Sequence, residues 1–168
     1  MAQLDKVLYV VCEHSSIIKT YTADSLSRLS EDIHVEGMRR PNDIVVCRHD
    51  RQLYVADEDY CIWRVSPDDH SNVKWMTSTD SSTDTFDVDT LSITSRHLLV
   101  TSLKPPTVRQ YDTTNKQLLC VVKLPRYVKD VFHAVETTRG TFVVCHCGTS
   151  RNKGQYAVSE LLRFCHVL

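Results

Sequence analysis

The apolar positions of this 168-residue chain fall in short runs broken by polar turns, and the runs recur. Leu8-Tyr9-Val10-Val11, Leu53-Tyr54-Val55-Ala56, Leu98-Leu99-Val100-Thr101 and Thr141-Phe142-Val143-Val144 read alike. Their second residues stand about 45 positions apart, the spacing of an internal repeat. A second motif, apolar-x-x-apolar, follows each at a similar offset: Ile18-Lys19-Thr20-Tyr21, Ile62-Trp63-Arg64-Val65, Val108-Arg109-Gln110-Tyr111 and Val158-Ser159-Glu160-Leu161. Both motifs are rich in β-branched and aromatic residues, which favour a pleated, half-buried strand. In three copies, turn formers come next: Thr22 to Ser25, Ser66 to Asp69 and Asp112 to Asn115.

Two further strands complete the unit. Segments 43–47, 91–95 and 133–137 precede the Leu-Tyr-Val-like strands, except in the first copy, which begins at its second strand. Outer strands are predicted over 73–77 and 118–124. The matching stretch 26–35 is polar, and 27–39, the one segment with helical periodicity, reads as strand plus loop. Four short antiparallel strands repeating about every 45 residues predict a β-propeller blade, because one small twisted sheet cannot bury both faces and must stack on a neighbour. A generic sandwich gives no reason for two independent motifs to keep one period. The predicted fold is all-β, a β-propeller of four-stranded antiparallel blades. It has about three and a half of them, in an incomplete or open ring. The propeller covers 5–168, with blades near 5–38, 39–84, 85–126 and 127–168.

The stretch Arg40-Pro41-Asn42-Asp43-Ile44-Val45-Val46-Cys47, then Leu53-Tyr54-Val55-Ala56-Asp57, then Cys61-Ile62-Trp63-Arg64-Val65, resembles one NHL repeat. That family's blade has Pro before the inner strand, a second strand ending Ala-Asp, and an isoleucine-centred third strand. The third copy replaces Ala56-Asp57 with Thr101-Ser102, and the fourth with Val144-Cys145. NHL propellers usually close six-bladed rings. In tripartite-motif ubiquitin ligases they recognise partner proteins or RNA. The resemblance implies such a recognition propeller, possessing neither the RING and B-box cysteine–histidine arrays nor the coiled-coil heptads that accompany it there. A six-bladed ring at this repeat length needs roughly 270 residues, so the chain is expected to be a fragment, or half of a homodimer that completes the ring. WD-type signatures are absent: neither Trp63 nor Trp75 precedes Asp.

Composition narrows the function classes. The chain carries 20 Lys+Arg against 21 Asp+Glu, which gives no global field for nucleic acid or anionic lipid. No apolar run reaches the roughly 20 residues that span a bilayer, so no membrane partner is expected. The seven cysteines are an odd number, scattered and partly inside apolar strands. With no signal-peptide pattern and no glycosylation sequon, they read as reduced thiols of a cytoplasmic protein.

Candidate chemistry is thin. Cys145-His146-Cys147 with Cys165-His166 suggests zinc, but the C-x-C spacing is not that of a structural finger, and strand alternation separates His146 from both cysteines. With only 4 Gly there is no phosphate-cradling loop. No nucleophile elbow or paired-histidine zinc motif occurs, so no catalytic residue, metal or cofactor is assigned. Loops 13–16, 57–61, 103–107 and 146–155, with 37–42, 80–88 and 125–130, are expected on one propeller face. The partner-binding candidates there are Arg39, Arg40, Asp57, Asp59, Lys104, Arg126, Lys129, Arg151 and Lys153. The first expectation is a non-enzymatic module that recognises a protein, as in substrate recognition by a ubiquitin-ligase-type protein. The second is single-stranded RNA on a basic patch, against which the mixed charge of this rim counts. The third is a metal-dependent hydrolase or lyase.

Overall fold

The computed structural model describes residues 1–58, 61–77, 87–125, 128, 131–147 and 156–161. The described residues contain strands and turns and no helix. Four antiparallel meanders account for them, as propeller blades require. The first sheet is β1 (Ala2–Leu4), β2 (Val7–Val10), β3 (Ile17–Thr22) and β4 (Ile33–His34). The second is β5 (Pro41–Cys47), β6 (Gln52–Asp57), β7 (Cys61–Val65) and β8 (Asn72–Thr77). The third is β9 (Leu91–Thr94), β10 (His97–Leu103), β11 (Pro106–Asp112) and β12 (Leu118–Lys123). In the fourth, β13 (Val131–Glu136), β14 (Phe142–Cys147) and β15 (Tyr156–Leu161) are described. The chain divides into two compact units, Met1–Val88 and Asp89–Leu168, each holding two sheets.

The repeat is written in backbone conformation as well as in side chains. The first hairpin turn of every sheet carries a residue with positive φ: Asp5, Arg51, Ser95 and Gly140, spaced about 45 positions apart. The turn into the fourth strand does the same at Leu26, His70 and Lys116. These latter loops close alike, with Thr22, Ser66 and Asp112 amides donating to the carbonyls of Ser27, Ser71 and Gln117. The Asp69 carboxylate accepts the amide and hydroxyl of Ser71 at 3.0 and 2.7 Å. Hydrogen bonds from the Ser66 hydroxyl first, then from Ser71, hold its pKa down to about 2. Asp112 accepts the Thr114 and Asn115 amides in the same manner and is likewise lowered.

The positive-φ turn at Asp5 corrects one expectation. The first blade does not begin at its second strand: β1 supplies the inner strand, in the register Ala2↔Tyr9, Gln3↔Leu8 and Leu4↔Val7. Three residues without a β-branched side chain gave no strand signal; pairing with β2 makes the strand. The outer strand of this sheet shrinks to Ile33–His34. In place of a longer ladder, the Thr20 amide donates to the Asp32 carboxylate and the Thr20 hydroxyl to the Glu31 carbonyl. A loop over 103–107 is also corrected. β10 and β11 run on to Leu103 and Pro106, and only Lys104-Pro105, joined by a cis peptide bond, turn between them.

Burial alternates along β3 and β14, whereas β6, β7, β10 and β11 are buried on both faces. In the first unit, Leu4, Tyr9, Ile18 and Ile33 of one sheet share a core with Ile44, Leu53, Val55 and Trp63 of the next. In the second, Leu99, Val108, Cys120 and Val122 meet Val131, Ala134, Phe142 and Val144. Between those two sheets, the Gln110 amide donates to the Glu136 carboxylate at 2.8 Å, and the Ser92 hydroxyl donates to the Ala134 carbonyl. Truncating fully buried Phe142 to Ala is expected to lower stability by about 3–5 kcal/mol, against under about 1 for Leu118→Ala at the sheet surface. Urea denaturation midpoints measure the contrast. Asp69 contributes stability that is complete above the ordinary carboxylate value and lost as pH falls toward 2. Asp69→Asn is therefore expected to flatten that part of the acid-denaturation curve.

Candidate loop rim of the first unit

The segment entering β5 is shaped by one glycine. The Met38 amide donates to the Val35 carbonyl, and Gly37, at φ +88°, takes the third position of this turn, where a side chain is disfavoured. A Cβ there would also lie 3.5 Å from the Trp63 ring. The chain then passes through Arg39 and Arg40 into Pro41, whose fixed φ suits a strand start.

Asp57 holds that segment in place. It ends β6 with no exposed surface, and its carboxylate faces the incoming chain. One oxygen accepts the Arg40 amide at 2.9 Å; the other accepts the Arg39 amide at 3.1 Å and the Trp63 indole N–H at 3.1 Å. The Glu58 amide closes the loop by donating to the Arg40 carbonyl. Lys74 stacks over the Trp63 ring, 5.2 Å from its centroid. Three donors converge on one buried carboxylate, and hydrogen bonds of this charge-assisted kind are the strong ones. Asp57 is therefore a structural clamp, and the expectation that it contacts a partner is corrected: its oxygens are occupied and it has no accessible surface.

The guanidinium of Arg40 lies outside this clamp. It pairs with Glu58 at 2.5 Å and reaches Glu13, in the β2–β3 connection, at 3.7 Å. His14 in turn lies 3.3 Å from Glu13. Arg39 is exposed beside them. The structure thus brings Arg39, Arg40 and Asp57 together with loops 13–16 and 37–40. Lys104 is exposed in the β10–β11 turn and belongs to the other unit. Asp59, Arg126, Lys129, Arg151 and Lys153 lie outside the described residues, as do the polar loop 78–86 and the connection between β14 and β15, 148–155. The sequence reading placed loop 13–16, and so Glu13, on this face without naming Glu13 as a site residue, and it missed the buried Trp63 as a partner of Asp57. Trp63 follows Asp57 by one tight strand connection, which pairs Asp57 with Cys61 and turns the indole back toward the carboxylate.

The second unit has a neutral clamp at Thr101, one residue before Ser102, which matches Asp57 in the repeat. The Thr101 hydroxyl meets the Thr90 hydroxyl at 2.6 Å and accepts the Thr90 amide at 3.1 Å, while the Asp89 amide donates to the Thr101 carbonyl. A neutral hydroxyl thus does at Thr101 what a carboxylate does at Asp57.

The cysteine–histidine run forms no ligand set among the described residues. His146 lies on the buried face of β14 with Phe142 and Val144, while Cys145 and Cys147 occupy the other face. Its Nδ1 donates to the Cys147 carbonyl at 3.0 Å, which leaves Nε2 to accept the Ser159 hydroxyl at 2.9 Å. Cys165 and His166 are outside the described residues. At the far end of the second sheet, a recess of about 450 Å³ is lined by Asp50, Gln52, Arg64, Ser66, Asp69 and Ser71, among others. Nearby, Arg51 pairs with Asp5 at 2.9 Å and with Asp68 at 3.3 Å, tying three turns together.

No known protein-family model matches the chain, and no curated protein matches it. No helix among the described residues is long and apolar enough to cross a membrane.

Asp57→Ala is expected to lower stability by about 3 kcal/mol, because two amides and an indole N–H lose their acceptor. Trp63→Phe is expected to cost less, since both amides keep theirs. Chemical denaturation of the two variants, with Trp75 fluorescence as the common reporter, checks the order.

Proposed function

We propose that the chain is a non-enzymatic binding module whose loop rim recognises a protein partner. The observation that carries this reading is the double pairing of Arg40 with Glu13 and Glu58 above the buried Asp57 clamp. The Asp57 clamp holds the Arg39 and Arg40 backbone, so fixing this segment on binding costs little entropy. Its charges alternate and answer one another, a pattern that suits the polar edge of a protein interface. A phosphate backbone needs cations with charge to spare, and Arg40 is answered twice. The NHL resemblance of the second blade agrees with a recognition role, including substrate recognition in a ubiquitin-ligase-type protein. Free thiols at Cys47, Cys61 and Cys120, all buried, support a reducing compartment such as the cytoplasm.

Two binding measurements test the proposal. Peptides selected by display on the intact chain are expected to lose about tenfold or more in affinity on Arg40→Glu. A labelled single-stranded RNA is expected to show no salt-dependent anisotropy change with the native chain. RNA binding that weakens with salt and disappears on Arg39→Glu with Arg40→Glu would replace the protein reading with an RNA one.

A further inference from the structure

Each unit stacks its sheets in one sense. The first sheet turns Leu4, Tyr9 and Ile18 toward Ile44, Leu53 and Val55 of the second. The third turns Leu99, Val108 and Cys120 toward Ala134, Phe142 and Val144 of the fourth. In both cores, the trailing face of one sheet meets the leading face of its successor. The trailing face of the fourth sheet and the leading face of the first belong to neither core.

Their composition is that of core faces. Register puts His133, Cys145 and Val158 in one row of the fourth sheet, and Val135, Val143 and Glu160 in the next. Val135 is 42% exposed and Val158 69%, although the alternate residues Ala134, Phe142 and Val144 are buried. On the first sheet, Gln3, Leu8 and Tyr21 form one row, and Val10 and Lys19 the next. Leu8, Val10, Lys19 and Tyr21 are all half-buried, whereas Tyr9 and Thr20, which alternate with them, are buried. Contiguous apolar rows of this kind on a soluble surface mark an interaction site. Among the described residues of these rows, Glu160 carries the formal charge at pH 7 on the fourth sheet and Lys19 on the first, and the signs are opposite.

We propose that the trailing face of the fourth sheet docks on the leading face of the first sheet of a second copy of this chain. Three features select this occupant. The two faces are the leading and trailing types that pair in both internal cores. Each carries apolar side chains in both of two cross-strand rows. Glu160 and Lys19 carry opposite charges that would pair across the contact; within the chain Glu160 accepts the Thr141 hydroxyl at 2.9 Å. The contact is heterologous, joining different surfaces of the two copies, so it either closes on itself or propagates.

Light scattering of the whole chain over a concentration series tests this. The mass is expected to rise from 19.3 kDa toward about 39 kDa or a higher multiple. Lys19→Glu alone and Glu160→Lys alone are each expected to weaken association about tenfold, and the two together to restore it. Val158→Glu is expected to give a monomer with an unchanged circular dichroism spectrum, because the side chain it replaces is exposed. Should that variant misfold, the charge exchange still decides. Carbodiimide coupling is expected to join Lys19 of one copy to Glu160 of another. A mass of 19.3 kDa at all concentrations, a multimer indifferent to the charge exchange, or a Lys19–Glu160 link within one chain would overturn the proposal.

Discussion

A four-stranded antiparallel sheet with strands of two to seven residues has little interior of its own. In this chain the alternation of side chains makes both faces of most sheets apolar. Burying such faces is the dominant favourable term available, and it is non-directional, so it requires only that another apolar face be brought against each. Every other feature follows from meeting that requirement with short connections. The turns must reverse the chain in two to five residues, which is why positive-φ positions recur at Asp5, Arg51, Ser95 and Gly140. The strand order within each sheet stays sequential because no longer crossover is present.

Stacking also creates the place where polar chemistry is needed. Where the chain leaves one sheet and enters the next, backbone amides are drawn toward the core without ladder partners. Asp57 resolves this for Arg39 and Arg40 in the first unit, and Thr101 resolves it for Thr90 in the second. The strength of each solution sets how firmly the adjoining loop is held. A rim held by a buried carboxylate, an indole and a glycine turn brings the Arg40 guanidinium beside Glu13 and Glu58. The same connection that completes the core therefore also orders the surface.

The mixed charge of that rim connects composition to local structure. A nearly neutral chain can still concentrate cations in one patch. Here Arg39 and Arg40 are adjacent in sequence, yet folding brings Glu13 from the preceding strand connection and Glu58 from the following one to the Arg40 guanidinium. Exposed pairs of this sort contribute little to stability. Their consequence lies in what the surface can attract.

By itself the sequence determined the strand types, the repeat period, the four-sheet architecture and the turn positions over most of the chain. These follow from local rules: β-branched alternation, turn-forming residues and the inability of a lone small sheet to cover itself. Tertiary structure alone decided the rest. β1 is a strand because β2 pairs with it, although Ala2 to Leu4 have no strand signature. Asp57 reads as an exposed acidic residue in a charged loop, and only the approach of Arg39, Arg40 and Trp63 makes it a buried acceptor. The segment 103–107 reads as a stiff loop because of its two prolines, whereas the ladder between β10 and β11 extends pairing to its last two residues. In each case the deciding contact joins residues whose partnership depends on register and on sheet stacking, and neither is written in the neighbouring sequence.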